Sequence, residues 1–234
     1  TWAWAAAGVA VAAVAALALW ALPRLRPGPI ELQLSRLTYD TGVTMDPAIS
    51  RDGKLLAYAS DRAGEGSADI WVQYVGQRSP QRLTRDPAPE SIPFFSPDGS
   101  QLVYRSERDG GGIYAVSVLG GDERKLTDGG TVPRFSPDGS LLSFVETVPW
   151  SPGAARRMFL IPAKGGEPRP LAPGFVTSPP PTNGGPIWSP DGRHLMFFGG
   201  RPGPRSDWDW WVVPAGGGAP VRTGARQSID RRDV

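Results

Sequence analysis

Four aspartates recur in one short motif and are the first residues to consider as a chemical site. Each lies directly before a glycine in a Ser-Pro-Asp-Gly or Ser-Arg-Asp-Gly sequence, and the four are Asp52, Asp98, Asp138 and Asp191. Carboxylates brought together could hold a divalent cation. These four belong to separate copies of the motif, however, and a ring of repeats would keep them apart. The pattern favours a turn in which Ser and Asp side chains accept hydrogen bonds from main-chain N–H groups.

Histidine and cysteine chemistry has few residues to draw on. His194 is the only histidine and the chain has no cysteine, so a zinc site lacks its usual ligands. A Ser-His-Asp triad would need His194 as its base, and the chain contains no Gly-x-Ser-x-Gly elbow. His194 aligns with Leu55, Gln101 and Leu141 of the other copies, which indicates an ordinary strand residue. We therefore predict no catalytic residue, no metal site and no cofactor.

The tryptophan-rich segment 207–211 suggests a binding role. Its sequence is Asp-Trp-Asp-Trp-Trp, and Trp210 and Trp211 occupy apolar and aromatic positions that the other copies share. Trp208 has no counterpart in them. We expect Trp208 to be exposed, as a stacking or docking residue.

Three further residues complete the candidate binding surface. Arg62 and Arg108 each follow an acidic residue at matched positions of two copies. This match suggests salt bridges between repeats, and contact with a ligand is the alternative. Trp150 lies in an insertion of the third copy, Glu146–Arg157, and a second insertion covers Ala172–Gly185. Long loops of this kind are more suited than sheets to partner-specific contacts.

A repeat that occurs four times positions these residues. The copies begin with similar heptapeptides, which are Pro47–Gly53, Pro93–Gly99, Pro133–Gly139 and Pro186–Gly192. Proline pre-sets φ, and glycine takes the positive φ that a tight turn requires. A Leu-x-Tyr or Leu-x-Phe sequence follows each turn. This alternation with a period of two predicts a strand with one buried face.

The rest of each copy predicts two more strands. An aromatic residue holds the same position in the third strand, at Trp71, Tyr114, Phe159 and Trp211. A Gly-rich turn and a short fourth strand follow. Four strands per unit, recurring about every 40 to 53 residues, predict an all-β fold, a β-propeller of four-stranded blades. The 30 glycines and 26 prolines fit many short strands joined by turns.

The repeat boundaries predict the domain organisation. The predicted segments are a closing strand at 34–44, blades at 45–86, 90–128, 131–172 and 185–223, and a linker at 224–234 that leads to a further blade. The Arg-Leu-Thr or Lys-Leu-Thr that ends the first two copies also precedes the first, at Arg36–Thr38. We therefore expect the chain to open with the last strand of the blade that closes the ring.

An apolar segment precedes the repeats. Trp2–Leu22 contains no charge and would span about 30 Å as a helix, the thickness of a bilayer core. We predict a single transmembrane helix, followed by a linker at 23–33, and a cleaved signal sequence is the alternative. Arg24 and Arg26 alone would favour a cytoplasmic location for the residues that follow, so the orientation stays open.

The repeat motif resembles a known family. Pro-x-aromatic-Ser-Pro-Asp-Gly, the Leu-x-Tyr/Phe after it and the closing Arg/Lys-Leu-Thr resemble the WD-like propeller repeat of TolB and its relatives, from about Leu34 to Thr223. Together with the apolar segment, the chain also resembles the C-terminal half of bacterial membrane proteins that carry a Ser/Thr protein kinase or winged-helix domain ahead of the helix. That resemblance implies about six blades outside the membrane, acting as a sensing or docking module, and a sequence truncated at both ends.

The leading prediction for function is binding. A net charge of +2 without a run of Lys or Arg argues against a nucleic-acid partner. A propeller with loops on two rims suits binding more than one fixed chemistry. We predict a non-catalytic, membrane-anchored, extracytoplasmic module that binds a protein or other envelope ligand within a larger signalling protein. The alternatives are a soluble periplasmic TolB-like protein with a signal sequence, and the substrate-gating propeller of a peptidase.

Overall fold

The computed structural model describes Trp2 and residues 34–39, 42–147, 155–177, 185–203 and 207–226. The chain forms two compact units, Thr1–Arg36 and Leu37–Val234, and the fold below is that of the second. Within the described ranges, no helix is both long enough and apolar enough to cross a membrane. Apart from Trp2, the predicted span Trp2–Leu22 and the linker 23–33 lie outside those ranges.

The described part of the second unit is almost entirely β-structure, and a 3-10 turn at Arg108–Gly110 lies between two of its strands. Its strands are β1 (Thr44–Ile49), β2 (Leu55–Ser60), β3 (Asp69–Tyr74), β4 (Gln81–Arg82), β5 (Glu90–Phe95), β6 (Gln101–Ser106), β7 (Gly112–Ser117), β8 (Arg124–Asp128), β9 (Thr131–Phe135), β10 (Leu141–Thr147), β11 (Arg156–Pro162), β12 (Arg169–Leu171), β13 (Val176–Thr177), β14 (Ile187–Trp188), β15 (His194–Gly200), β16 (Asp209–Pro214) and β17 (Val221–Arg222).

The strands form four antiparallel units that we call repeats 1 to 4. Strands β1–β4 and β5–β8 each form a four-stranded sheet in sequence order. Strands β9–β12 and β14–β17 form two more units of the same kind. The predicted all-β, propeller-like arrangement of four-stranded antiparallel sheets is therefore confirmed.

Each repeat has two faces because successive side chains of a strand point to opposite sides. The leading face carries the Leu-x-aromatic pair of the second strand, such as Leu102 and Tyr104 in repeat 2. The trailing face carries the side chains that point to the opposite side of the sheet. In repeat 1 these include Ala57 and Val72. The trailing face of repeat 1 and the leading face of repeat 2 share one hydrophobic core. The same contact joins repeats 2 and 3 and repeats 3 and 4.

Burial of large apolar side chains stabilises the contacts between repeats. Leu102, Tyr104, Leu142, Phe144 and Leu195 are all 0% exposed. Each large apolar side chain that is fully buried contributes about 1.5–3 kcal/mol relative to an exposed one. The period-two pattern thus sets which residues form each interface between repeats.

Hydrogen bonds from the fourth strands add a second connection between neighbouring repeats. At one matched position, a long polar side chain donates to a main-chain carbonyl in a turn of the next repeat. The pairs are Gln81 Nε2 with Leu119 O (3.4 Å), Arg124 Nη1 with Lys164 O (2.6 Å), and Arg169 Nη2 with Ala215 O. We call this matched contact the clasp.

Two expectations about the connecting segments need correction. Residues 34–39 contain no strand, although Leu34–Thr38 was expected to form one. Contacts of these residues include the bond from Gln73 Nε2 to Leu37 O at 2.8 Å and the Arg78 guanidinium 4.2 Å from the Tyr39 ring. The second insertion is not only a loop, because β13 lies in it and pairs with both β11 and β15. It joins repeats 3 and 4 into one nine-stranded sheet.

The insertion packs closely because of an aromatic and a glycine. Phe175 lies edge-on to Trp211, with the ring centroids 4.8 Å apart. A Cβ at Gly199 would lie 2.0 Å from Val176 O, so only glycine allows β13 to approach β15. Residues 178–184 of the insertion lie outside the described ranges.

One carboxyl group is buried at the junction of repeats 1 and 2. Glu90 is 1% exposed, and its N–H donates to Ala68 O at 2.8 Å. Neither carboxylate oxygen of Glu90 has a hydrogen-bond partner among the described residues. Burial raises the pKa of Glu90 to about 8, because removal from water disfavours the charged form.

Glu90 should therefore make the protein less stable as pH rises. The folded state holds a proton on Glu90 up to about pH 8, whereas the unfolded state releases it near 4.5. Between these values the folded state binds more protons, so the free energy of unfolding falls by at most about 1.4 kcal/mol per pH unit. In Glu90→Gln, urea unfolding measured from pH 4.5 to 8.5 should lack this fall. The exposed Glu167→Gln should keep it, and an unchanged pH dependence in Glu90→Gln would contradict this role.

Candidate binding site

The first strands of repeats 1, 2 and 3 form the wall of a concavity in the second unit. Each of these strands contains one proline, namely Pro47, Pro93 or Pro133. Proline has no N–H, so it fits a strand whose one side has no partner strand. The prolines also keep these edges from pairing with another strand.

The residue before each proline has a left-handed backbone. Asp46, Ile92 and Val132 have φ values of 51°, 54° and 55°. For a non-glycine residue this conformation costs about 1–2 kcal/mol. A break in strand register accompanies each of them, which marks a β-bulge. Bulges at matched positions bend the three strands in the same way around the concavity.

The cavity between these strands has a volume of about 580 Å³. Its wall is mainly apolar, with the three prolines and side chains such as Ile49, Phe94 and Phe135. Asp46 Oδ2 accepts the N–H of Ile92 at 3.1 Å and so ties β1 to β5 along this wall. The volume is typical of ligand-binding pockets, which combine apolar walls with a few polar groups.

Arg134 is the polar group that distinguishes the cavity. Its guanidinium carbon lies 5.3 Å from the centroid of the Phe94 ring, and its Nε is buried without a hydrogen-bond partner among the described residues. No carboxylate in the described ranges forms an ion pair with it. Burial lowers the pKa of Arg134, but an arginine remains protonated in proteins. The cavity therefore presents a partly desolvated positive charge to any ligand.

The four motif aspartates are structural, as the turn pattern predicted. In repeat 3, Asp138 Oδ1 accepts hydrogen bonds from Ser136 Oγ at 2.5 Å and from the N–H of Ser140 at 3.0 Å. These bonds lower the pKa of Asp138 to about 2. The other three aspartates accept the equivalent pairs of bonds. Within the described ranges, no three His, Cys, Asp or Glu side chains are grouped so that they could hold a metal ion.

His194 is the first residue of β15, as the alignment of the copies predicted. Its main-chain N–H donates to Ser189 Oγ at 2.9 Å, and Ser189 Oγ donates to Asp191 at 2.6 Å. Ser, His and Asp are thus neighbours in this turn. The contact uses the main chain of His194 and not its imidazole, so the arrangement is not a catalytic triad.

The expectation that Trp208 is exposed was wrong. Trp208 is 8% exposed, and its ring lies 6.0 Å from that of Phe198 in an edge-on arrangement. The indole packs against the sheet, where a large apolar ring gains more from burial than from exposure. Trp150 lies outside the described residues.

Arg62 and Arg108 each pack against an aromatic ring of the same repeat. The Arg62 guanidinium lies 4.8 Å from the Trp71 ring, and Nη1 donates to Tyr58 at 3.3 Å. The Arg108 guanidinium lies 4.0 Å from the Tyr114 ring, and its Nη2 pairs with Glu123 at 2.5 Å. Arg108 Nη1 also lies 3.6 Å from Asp86 Oδ2 of the segment 45–86, so Arg108 forms an ion pair between repeats, as its matched position suggested. The structure does not bring either arginine together with the cavity.

The acidic residues beside these arginines, Asp61 and Glu107, bond within the chain locally and not with a neighbouring repeat among the described residues. Asp61 accepts the N–H of Val43 at 2.7 Å. Glu107 pairs with Arg105 of the same repeat, with Nη2 and Oε2 2.7 Å apart. Adjacent side chains at a strand end point in different directions, so sequence neighbours need not share a partner.

Arg134 and Arg201 were not predicted as site residues, although the alignment of the copies distinguishes each of them. Arg134 occupies the variable position of Pro-x-aromatic-Ser, where the other copies have Ala48, Phe94 and Ile187. It is the only charge at that position. Arg201 lies four residues after Phe197, the spacing that relates Arg62 to Tyr58, and it lies 5.8 Å from the Phe175 ring.

A family comparison agrees with the repeat structure. Residues 33–148 match the family model of the TolB beta propeller domain, which includes repeats 1 and 2 and strands β9 and β10. The resemblance to TolB-like propeller repeats is therefore confirmed. A sequence comparison with curated proteins found no match.

Solved structures share the fold at low sequence identity. TolB from Acinetobacter baumannii has 19% identity and a TM-score of 0.55, and the match covers 75% of this chain and 44% of that one. A putative TolB from Agrobacterium tumefaciens has 21% identity and a TM-score of 0.62, with 80% and 67% covered. An acylaminoacyl peptidase from Pyrococcus horikoshii has 13% identity and a TM-score of 0.56, with 80% and 34% covered. The chain thus spans less than half of the first structure, and the likeness shows the fold alone.

The turn assignment predicts the effect of removing one aspartate. Asp138→Ala deletes the acceptor for the bonds from Ser136 Oγ, the Ser140 N–H and Ser140 Oγ and should lower the free energy of unfolding by about 1 kcal/mol. Asp128→Ala, which removes an exposed ion pair with Lys125, should have little effect. Because the pKa of Asp138 is lowered from 3.8 to about 2, its contribution should disappear as pH falls through that interval. Equal effects of the two substitutions in urea unfolding would contradict the assignment.

Proposed function

We propose that the chain is a non-catalytic module that binds a segment of a partner protein in the cavity between repeats 1, 2 and 3. The observation that carries the proposal is the Arg134 guanidinium, which has no carboxylate partner among the described residues, in a mainly apolar cavity of about 580 Å³. A TolB-like propeller is a fold suited to protein binding, which supports the same class of function. The described residues offer a bound ligand an apolar wall together with the charged side chains of Arg134, Arg51 and Asp46.

The chemistry of the cavity limits the ligand. Apolar side chains such as Ile49 and Phe94 would contact apolar groups of an incoming segment. Arg134 would pair with an acidic side chain or a terminal carboxylate, because no carboxylate among the described residues forms an ion pair with it. The prolines leave few main-chain donors, so recognition would rest on these side chains.

We further propose that the module is presented outside the cytoplasm on a membrane anchor formed by Trp2–Leu22. An uncharged run of this length has the hydropathy of a membrane span, and TolB-like propellers are periplasmic-type modules. A larger signalling protein with about six blades would place the cavity at its sensory end. A soluble periplasmic form released by signal cleavage is the alternative, and the mass of the mature protein in a membrane fraction decides between them.

A peptidase-gating role is the second candidate, and the similarity to the Pyrococcus horikoshii acylaminoacyl peptidase favours it. In that case the cavity would admit substrates to a hydrolase domain. A segment that binds in the cavity and is not cleaved would support the binding module. Cleavage of the bound segment by the full-length protein would support the peptidase gate.

Site-specific crosslinking in cells tests the binding proposal. Benzoylphenylalanine at Ile49, which is 59% exposed and lines the cavity, should crosslink to a protein. Adding Arg134→Met should reduce the adduct about ten-fold, because a charge-assisted hydrogen bond contributes about 1.5–3 kcal/mol. Adding Arg193→Met, an exposed arginine of a repeat turn, should leave it unchanged.

The outer surface provides the negative control for this experiment. Benzoylphenylalanine at Leu119, which is 85% exposed in an outer turn, should not give the same adduct. An identical adduct from Leu119, or an Ile49 adduct that persists in Arg134→Met, would contradict the cavity as the binding site.

A further inference from the structure

Arg51 departs from the pattern of the repeat turns at the end of the cavity where those turns lie. The second proline of the turn motif is Pro97, Pro137 or Pro190 in repeats 2, 3 and 4, and Arg51 occupies that position in repeat 1. All four residues line the cavity, so the position faces the ligand space in every repeat. Three repeats therefore place an apolar ring at this end, and one places a cation there.

The prolines have a packing role that Arg51 does not take over. Those of repeats 2 and 3 lie against the glycine of the next turn, where a Cβ at Gly139 would lie 3.5 Å from Pro97 Cδ and one at Gly192 would lie 3.6 Å from Pro137 Cδ. At Gly99, which follows the turn of Arg51, a Cβ would have no described atom within 4 Å. Arg51 is exposed and forms no ion pair with a carboxylate of the described ranges. Its guanidinium is therefore available to a ligand.

The charged groups that line the cavity lie at different levels along its strands. Asp46 precedes the proline of β1, Arg51 lies beyond the end of β1, and Arg134 aligns with Ala48 between them. Arg51 is thus three residues beyond the level of Arg134, which corresponds to about 10 Å along a strand. One end of the cavity is cationic over this length, and the other end carries the carboxylate of Asp46.

The two arginines also belong to opposite walls. Arg51 is part of repeat 1 and Arg134 of repeat 3, and repeat 2 packs between those two repeats. In an extended peptide, side chains i and i+3 are separated by about 10 Å and point to opposite sides. An extended segment with acidic side chains at positions i and i+3 therefore matches both the spacing and the placement of the two guanidinium groups.

We propose that Arg51 is a second anchor of the cavity and that the ligand is an extended, internal segment of a protein with two acidic side chains three residues apart. This inference rests on the proposed binding of a partner segment between repeats 1, 2 and 3. One carboxylate pairs with Arg134 and the other with Arg51, through charge-assisted hydrogen bonds. The side chains between the two acids contact apolar residues of repeat 2 such as Phe94. Asp46 repels an acid at the opposite end, which fixes where the acidic pair lies.

Selection from a phage-displayed library of random dodecapeptides tests the ligand class with the full chain as bait. The wild-type chain should enrich sequences with two acidic residues three apart. Arg51→Pro should enrich sequences with a single acid, because it removes the charge and introduces the proline that the other turns already accommodate. Arg193→Met, which alters an exposed arginine of a turn that does not line the cavity, should enrich the same sequences as the wild type.

A double-mutant cycle with the strongest selected peptide assigns each acid to its arginine. Replacing either acid by its amide should weaken binding to the wild-type chain about ten-fold. In Arg51→Pro one of the two replacements should have no further effect, and in Arg134→Met the other should have none. Arg51→Lys should retain most of the affinity, because the interaction requires a cation at this position.

The outcomes separate this inference from the proposed function. Enriched peptides with one acid, whose binding needs Arg134 and not Arg51, would overturn the second anchor and leave the proposed function intact. Failure of the wild-type chain to enrich any peptide, or enrichment that neither Arg51→Pro nor Arg134→Met alters, would overturn both. Equal binding of a synthetic peptide that ends in a terminal carboxylate in place of the second acid would assign Arg51 to a chain terminus and overturn the internal segment.

Discussion

The contact between the trailing face of one repeat and the leading face of the next is the interaction on which the rest of the structure depends. It is built from the period-two alternation of the strands, and it places residues such as Tyr104 and Phe144 at 0% exposure. Hydrogen bonds within the Ser-Pro-Asp-Gly turns keep the first and second strands in register, which decides the face that each side chain occupies. A single shift of register would exchange the buried and exposed residues of a whole repeat.

The cavity follows from the same packing. Stacking the repeats brings their first strands side by side, and these strands have one side without a partner strand. Proline at Pro47, Pro93 and Pro133 fits that situation because it lacks the N–H that would otherwise need a partner. The left-handed residues before the prolines are strained, and the surrounding sheets maintain them. The result is an apolar wall in which the guanidinium of Arg134 is the distinctive polar feature.

The sequence predicted most of the fold because repetition reveals what a single copy would leave ambiguous. The turn motif, the strand after it and the aromatic position of the third strand are local patterns, and all appear in the structure. Contacts between residues that are far apart in the sequence could not be predicted from such local patterns. Trp208 is buried because it packs against Phe198, and strand β13 forms because it pairs with β11 of repeat 3 and with β15 of repeat 4. Arg134 became a candidate only when packing showed which side chains surround the cavity.

Hydrogen exchange of the Leu102→Ala variant tests the central claim most directly. Leu102 belongs to repeat 2, but its side chain packs in the core shared with repeat 1. Removing it should cost about 2–5 kcal/mol and lower amide protection in β2 and β3 as well as in β6 and β7, with the smallest change in repeat 4. Loss of protection confined to β6 and β7 would show that the repeats do not depend on the contact between their faces, and would contradict the account.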